Sequence, residues 1–192
     1  MKVIAFNGSP RANGNTAQSI QMVLAELEKE GIETEFIQLG GRKVYGCLAC
    51  GKCWETKNNR CIRQDDDINL FLQKIEEADG IIIGSPTYFS NVSAEVKALI
   101  DRCGFVSKAN NGDLLRGKAG AAVVAVRRAG ATFVYSAINF FFGIAEMNIP
   151  SSSYWNMTLA LEPGEVQNDQ EGIQTFQTLG KNMAKLLKQT RA

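Results

Sequence analysis

Short apolar runs alternate with amphipathic segments along most of this chain, and that alternation limits the fold more than any other feature of the sequence. The runs show little polar alternation, which is typical of strands buried on both faces of a sheet. Five strands are predicted, in KVIAFNGSP (2–10), ETEFIQL (33–39), GIIIGSP (80–86), AGAAVVAV (119–126) and NIPSSSYW (148–155).

The segments between the strands carry apolar residues at helical spacing. In the first segment, Ile20, Leu24 and Leu27 share one face, and Gly31 ends the helix. Helices are predicted over 15–31, 65–78, 93–104, 130–146 and 169–188. Five strands alternating with five helices predict a parallel sheet covered on both faces, a doubly wound three-layer α/β domain.

Length and charge exclude several classes of protein. A chain of 192 residues fits a single domain, 1–192, with a cysteine-rich loop at about 45–64 after the second strand. A net charge of +1 with mixed signs gives no basic face for nucleic acid. Without a signal-peptide pattern or an apolar run of membrane length, we expect a cytoplasmic protein with reduced thiols and no membrane partner.

The chain has no histidine, which excludes the commonest acid–base and metal-ligand side chain. Its chemistry must come from cysteine, carboxylates, tyrosine, arginine, lysine or a cofactor. Ligands of doubly wound sheets bind beyond the carboxyl ends of the strands. The loops after the first, third and fourth strands should therefore form the site.

The first of these loops, NGSPRANGNT (7–16), has the composition of an anion receptor. It places hydroxyl groups, amides and Arg11 at a helix N-terminus, where free N–H groups favour a negative charge. It is neither a Walker A loop nor G-x-G-x-x-G, so a phosphomonoester is the ligand it suits. A plain strand-to-helix turn is the alternative.

The other two loops carry aromatic and basic side chains. GSPTYF (84–89) places Tyr88 and Phe89 where the sheet opens, either against a planar ring system or as local core. VRRAGA (126–131) puts two arginines at a strand end, where they face solvent or an anion.

Together, GSPRANGNT, GIIIGSPTYFSNVSAEVKALIDR and the order of the α/β units resemble the flavodoxin-like NAD(P)H-dependent FMN reductases. The compact cysteine run resembles, more narrowly, the iron–sulfur flavoproteins of anaerobic microbes. The resemblance implies the strand order 2-1-3-4-5 and FMN as cofactor. It assigns the FMN phosphate to Ser9, Arg11, Gly14, Asn15 and Thr16, the ring to Pro86, Thr87, Tyr88 and Phe89, and the other ring edge to Arg127, Arg128 and Gly130.

Four of the five cysteines fall in YGCLACGKCWETKNNRC, residues 45–61. The four are Cys47, Cys50, Cys53 and Cys61, spaced C-x2-C-x2-C-x7-C. Close C-x2-C steps let thiolates converge on one small object, as the ligands of a 4Fe-4S cluster do. The alternatives are zinc on the thiols, or no metal, with either reduced thiols or a redox-active disulfide from one C-x-x-C pair.

Three further features receive simpler interpretations. Cys103 lies at apolar helical spacing and is expected in the core, and the acids 65–67 are expected in the first turn of a helix. The segment 130–146 is apolar nearly all round, which predicts a homo-oligomer, a dimer or tetramer.

These features predict an FMN-dependent oxidoreductase that relays electrons between a cluster and FMN. The electron donor would be a reduced carrier such as ferredoxin, or NAD(P)H. A cluster-free NAD(P)H-dependent FMN or quinone reductase is one alternative. A zinc-binding, non-catalytic sensor or binding module is the other.

Overall fold

The computed structural model describes residues 1–190. Its strands are β1 (Lys2–Asn7), β2 (Glu33–Gln38), β3 (Gly80–Pro86), β4 (Ala119–Val126) and β5 (Met157–Leu159). Its helices are α1 (Asn15–Lys29), α2 (Lys52–Thr56), α3 (Ile68–Glu77), α4 (Ala94–Ala109), α5 (Ala131–Ile144) and α6 (Gln170–Thr190), with a 3-10 turn at Glu165–Asn168.

All strands pair in parallel, in the order β2-β1-β3-β4-β5, which confirms the predicted fold class and strand order. All eight residues of β4 are buried, and none is larger than valine. Small side chains on this strand let helices approach closely: a Cβ on Gly120 would lie 2.8 Å from the Phe142 ring. The central strands are thus buried on both faces, as their unbroken apolar runs predict.

Two hydrophobic layers enclose the sheet. On one face, Ile20 and Leu24 of α1 pack with Phe176 and Met183 of α6. On the other face, α3, α4 and α5 contribute apolar side chains such as Phe71, Leu99 and Ile138. Burial of each such side chain is worth about 1.5–3 kcal/mol, so both layers hold the sheet and its loops in place.

The fifth strand lies later in the chain than expected. The prediction placed it within 148–155, whereas β5 is Met157–Leu159 and pairs with residues 124–126 of β4. In the predicted segment only Asn148 makes a bridge to the sheet, with Ala119. Pro150 lacks a backbone donor, and the serines around it favour turns, so the ladder resumes only after Trp155.

Two helix boundaries differ clearly from the prediction, and the structure contains one helix that was not predicted. The acids 65–67 precede α3 and do not occupy its first turn, because Asp66 is buried in an ion pair with Arg102. The α4 helix continues past Gly104 to Ala109, since Val106 and Ala109 extend its buried face. A short helix, α2, lies inside the cysteine-rich segment, which was expected as a loop.

Among residues 1–190, no helix combines the length and apolar character needed to cross a membrane.

Candidate functional site

The loops after β1, β3 and β4 lie side by side at the carboxyl edge of the sheet. The Gly8 amide donates to the Gly84 carbonyl at 2.8 Å, and the Thr87 amide donates to the Ala125 carbonyl at 2.9 Å. Gly130 packs so closely on the next loop that a Cβ there would lie 2.5 Å from Ser90 Oγ. The structure thus brings together the three groups of residues singled out in the sequence.

The loop from Gly8 to Gly14 ends at the free amides of α1. Gly14 occupies the N-cap and provides no side-chain hydrogen bond, so the first-turn N–H groups can bind an external acceptor. The Ser9 hydroxyl accepts the Arg11 amide at 3.2 Å, which leaves its own proton free to donate. Arg11 is exposed at the same end. This arrangement suits a phosphate.

A network of hydrogen bonds among Asn7, Gln38 and Ser9 supports that loop. Asn7 Nδ2 donates to Gln38 Oε1 at 2.7 Å, and Gln38 Nε2 donates to the Ser9 carbonyl at 2.7 Å. The Ser9 amide in turn donates to Asn7 Oδ1 at 3.2 Å. The sequence reasoning missed Asn7 and Gln38, although polar residues at the ends of two adjacent strands were a usable signal.

Asn15 has a different set of partners from the one expected. Its Nδ2 donates to the Glu162 carbonyl at 2.8 Å, and its Oδ1 accepts the amides of Gly164 at 2.9 Å and Val166 at 3.3 Å. The side chain therefore fastens the segment after β5 to the start of α1. Only its backbone N–H remains for an anion at the helix N-terminus. Thr16, by contrast, packs its methyl group beside Gly84 in the first turn.

The loop after β3 is a tight turn that presents an aromatic ring to solvent. Tyr88 and Asn91 exchange both backbone hydrogen bonds, each at 2.9 Å. Between them Phe89 and Ser90 have φ of 48° and 60°, left-handed values that are costly for residues with side chains. Phe89 is fully exposed at the tip. A strained turn that holds an apolar ring in water indicates a surface for a flat ligand.

Thr87 carries an unpaired polar atom in the same loop. Its Oγ1 is buried and has no hydrogen-bond partner among residues 1–190. A buried hydroxyl group without a partner costs about 1–3 kcal/mol. Such an atom beside the predicted ring site fits a ligand that supplies the missing hydrogen bond.

The loop after β4 leaves Arg127 and Arg128 exposed at the sheet edge. Gly130 follows with φ of 91° and serves as the N-cap of α5. Its left-handed backbone and its contact with Ser90 both require glycine. The loop therefore adds to the site two exposed cationic side chains and the close contact between Gly130 and Ser90.

The four clustered cysteines line a cavity of about 190 Å³ that is separate from the three loops above. Cys47 and Cys50 are exposed, Cys53 and Cys61 are half-buried, and all are free thiols. The remaining lining is mainly apolar and includes Leu48, Trp54, Ile62 and Phe105. Within the described residues, no three of the metal-binding side chains are close enough to hold a single ion.

The backbone of the cysteine segment turns sharply between its cysteines. Ala49 and Gly51 have φ of 51° and 71°, and these left-handed residues flank Cys50. Further along, Asn69 of α3 fixes the fourth cysteine. Its Oδ1 accepts the Cys61 amide at 2.8 Å, and its Nδ2 donates to the Cys61 carbonyl at 2.9 Å. The segment is thus shaped locally and anchored to a core helix.

Burial raises the pKa of the Cys53 thiol, and the nearby Cys61 and Cys47 sulfurs add to the rise. Gathering several thiolates in an apolar cavity is therefore unfavourable without a cation. Cys103 is different: it lies in the core, as predicted, where burial raises its pKa to about 12.

Comparisons with known proteins place this sequence in a family. The family model described as NADPH-dependent FMN reductase matches residues 1–162. An iron–sulfur flavoprotein of Methanocaldococcus jannaschii is 40% identical over 98% of this chain and 98% of its own length. Another from Methanosarcina thermophila is 30% identical over 97% of this chain and 95% of its own length.

Solved structures agree with the fold. A crystal structure of RosB with a bound riboflavin-phosphate intermediate superposes with a TM-score of 0.76 at 20% identity, covering 100% of this chain and 80% of that one. An archaeal flavodoxin has a TM-score of 0.60 at 15% identity, covering 98% of this chain and 99% of its own. On its sequence matches the chain belongs to the NADPH-dependent FMN reductase family and, within it, to the iron–sulfur flavoproteins.

Proposed function

We propose that the chain is an FMN-dependent oxidoreductase that relays electrons between an iron–sulfur cluster on its four clustered cysteines and FMN at the carboxyl edge of the sheet. The observation that carries the proposal is that four thiols from one short segment line a single apolar cavity. When bound, FMN exchanges one or two electrons and a four-cysteine cluster exchanges one, and the two together suit a relay.

The residues at the sheet edge fit FMN. The α1 amides, the Ser9 hydroxyl group and Arg11 would hold the phosphate. The unpaired Thr87 Oγ1 and the exposed aromatics Tyr88 and Phe89 would bind the ring system. Arg127, Arg128 and Gly130 would border its other edge. In this arrangement the protein positions the cofactor, and no side chain has to act as an acid or base.

The cysteine cavity fits a cluster better than a single zinc ion. Zinc draws four ligands to about 2.3 Å from one point, and the described side chains include no such convergent group. A 4Fe-4S cluster spans more space and takes thiolates from positions further apart. A cavity of about 190 Å³ bounded by all four thiols supports the larger occupant.

Electrons would enter from a reduced carrier such as ferredoxin or from NAD(P)H. The protein would act in the cytoplasm as a homo-oligomer. Support for the oligomer comes from α5, where Phe133, Phe140 and Ile144 are 67%, 75% and 68% exposed on one face. A single chain leaves that face in water, which is the situation a second copy would relieve.

The test is a visible absorption spectrum with iron, sulfide and zinc analysis on protein purified without oxygen. We expect flavin bands with a broad shoulder, and iron and sulfide in equal amounts. Flavin without iron would refute the relay and leave a cluster-free NAD(P)H-dependent FMN or quinone reductase. A colourless protein containing zinc would refute the redox proposal altogether and favour a binding module.

A further inference from the structure

The cysteine cavity has a charge pattern that its ligand role alone does not require. Among residues 1–190, the charged side chains that line it are Arg63 and Arg102, and no carboxylate of that range does. Each arginine pairs with an acid that lies outside the lining: Arg102 with Asp66, and Arg63 with Asp65 at 2.7 Å. In both ion pairs the arginine, and not the acid, lines the cavity that the four cysteines share.

Arg102 is the more deeply placed of the two. Its side chain is 1% exposed, and that of its partner Asp66 is 0% exposed. Its Nη1 donates to the Tyr45 carbonyl at 3.3 Å, and its Nη2 donates to the Arg63 carbonyl at 3.4 Å. These carbonyls stand just before and just after the cysteines, so one α4 side chain joins both ends of the segment.

The Arg102 guanidinium group is also incompletely satisfied. Its Nε is buried and has no hydrogen-bond partner within residues 1–190. The ion pair with Asp66 offsets the cost of burying this cation, but the Nε donor is left without an acceptor. A cation beside an apolar cavity, with a donor to spare, is the arrangement expected where an anion belongs.

The proposed occupant is such an anion. Four thiolates outweigh the positive charge of the inorganic core, and the reduced cluster carries one more negative charge than the oxidised cluster. A fixed cation nearby stabilises the reduced form more than the oxidised form. Because Arg102 is buried, its effect is screened less than that of a cation at the surface.

We propose that Arg102, supported by Arg63, is the counter-charge of the cluster and raises its reduction potential. This inference rests on the proposed function, namely that the four cysteines hold an iron–sulfur cluster. Arg102 acts here as a positioning residue as well, because the same side chain fastens the segment that carries the ligands. The alternative is that Arg102 only fastens the segment.

The experiment is a redox titration of the cluster in anaerobically reconstituted protein. Arg102→Gln removes the cation and should shift the midpoint potential to lower values. Asp66→Asn removes the acid from the same ion pair and should shift it to higher values. Since both variants break one ion pair, a purely structural role would not separate them by sign.

Two further variants keep the inference testable if Arg102→Gln does not hold a cluster. Arg63→Gln alters a partly exposed side chain outside the core and should lower the potential by a smaller amount. Arg60→Gln is its control, because Arg60 lies on the same segment, pairs with Glu76 at 3.0 Å and does not line the cavity. We expect no shift from it.

The outcomes distinguish a failure of this inference from a failure of the proposed function on which it rests. Opposite shifts in Arg102→Gln and Asp66→Asn, or a lower potential in Arg63→Gln but not in Arg60→Gln, would support it. Equal potentials or shifts of the same sign in a protein that holds iron and sulfide would overturn the inference alone. Wild-type protein that holds neither iron nor sulfide would overturn both proposals.

Discussion

Gly130 is the residue at which two loops of the candidate flavin site meet. A side chain there would face the Ser90 hydroxyl group at 2.5 Å, on a backbone with φ of 91°. We expect Gly130→Ala to displace the Tyr88–Asn91 turn and to weaken FMN binding about tenfold, measured by quenching of flavin fluorescence. Gly143→Ala in α5 is the control, since a Cβ there meets nothing within 4 Å. Equal affinities for FMN in the two variants would show that the Tyr88–Asn91 turn is not part of the flavin site.

Cys50 is the best single residue for testing the cluster. It is exposed, lies between left-handed neighbours and takes no part in the core. Cys50→Ser should therefore leave flavin content unchanged and lose most of the iron, measured on anaerobically purified protein. Cys103→Ser is the matched control, because Cys103 lies in the core and does not line the cavity, so its replacement should retain iron. Equal iron in both variants and the wild type would contradict the cluster.

The start of α1 is the element that should distinguish FMN from riboflavin. The free amides, Ser9 and Arg11 act on the phosphate, which riboflavin lacks. Ser9→Ala combined with Arg11→Ala should weaken FMN binding by about 10- to 100-fold. Riboflavin binding, measured by the same titration, should not change. Asn13→Ala, at an exposed position of the same loop, is the control. A matching loss for riboflavin would show that these residues shape the loop and do not contact the phosphate.

The elements themselves divide into those a local pattern predicts and those it does not. β1, β3 and β4 and the helices between them follow from unbroken apolar runs and helical spacing, which are local properties. The position of β5 could not be predicted in this way. Its three residues are selected by their pairing with β4, which lies at a distance in the sequence. The same holds for α2, whose start depends on a left-handed Gly51 within the cysteine segment.

The site shows the same division. Ser9, Thr87 and the four cysteines stand in recognisable motifs, and the structure gathers each group at one place. The supporting contacts escaped prediction because the residues that make them lie far apart in the sequence. Asn15 reaches across 147 residues to Glu162, and Asp66 pairs with Arg102 across 36. Such contacts exist only once the sheet has brought the segments together.

At the scale of the whole molecule, the exposed face of α5 predicts self-association. Phe133→Lys combined with Phe140→Lys places two charges on that face and should convert the oligomer to a monomer, measured by sedimentation velocity. Leu70→Lys is the control, because Leu70 is an exposed apolar residue on α3, away from α5. A wild-type monomer, or a double variant that assembles like the wild type, would contradict the prediction.

The anchoring of the cysteine segment has a consequence for the order of assembly. The contacts that hold the segment come from Asn69 and Arg102, which stand on helices already packed against the sheet. Cys53 and Cys61 pack against one of the hydrophobic layers that stabilise those helices, but none of the four thiols is among the buried residues of either layer. We therefore expect folding to finish before any iron arrives. The folded domain would then present a preformed site to its cluster, unlike a zinc finger, which depends on its metal to fold.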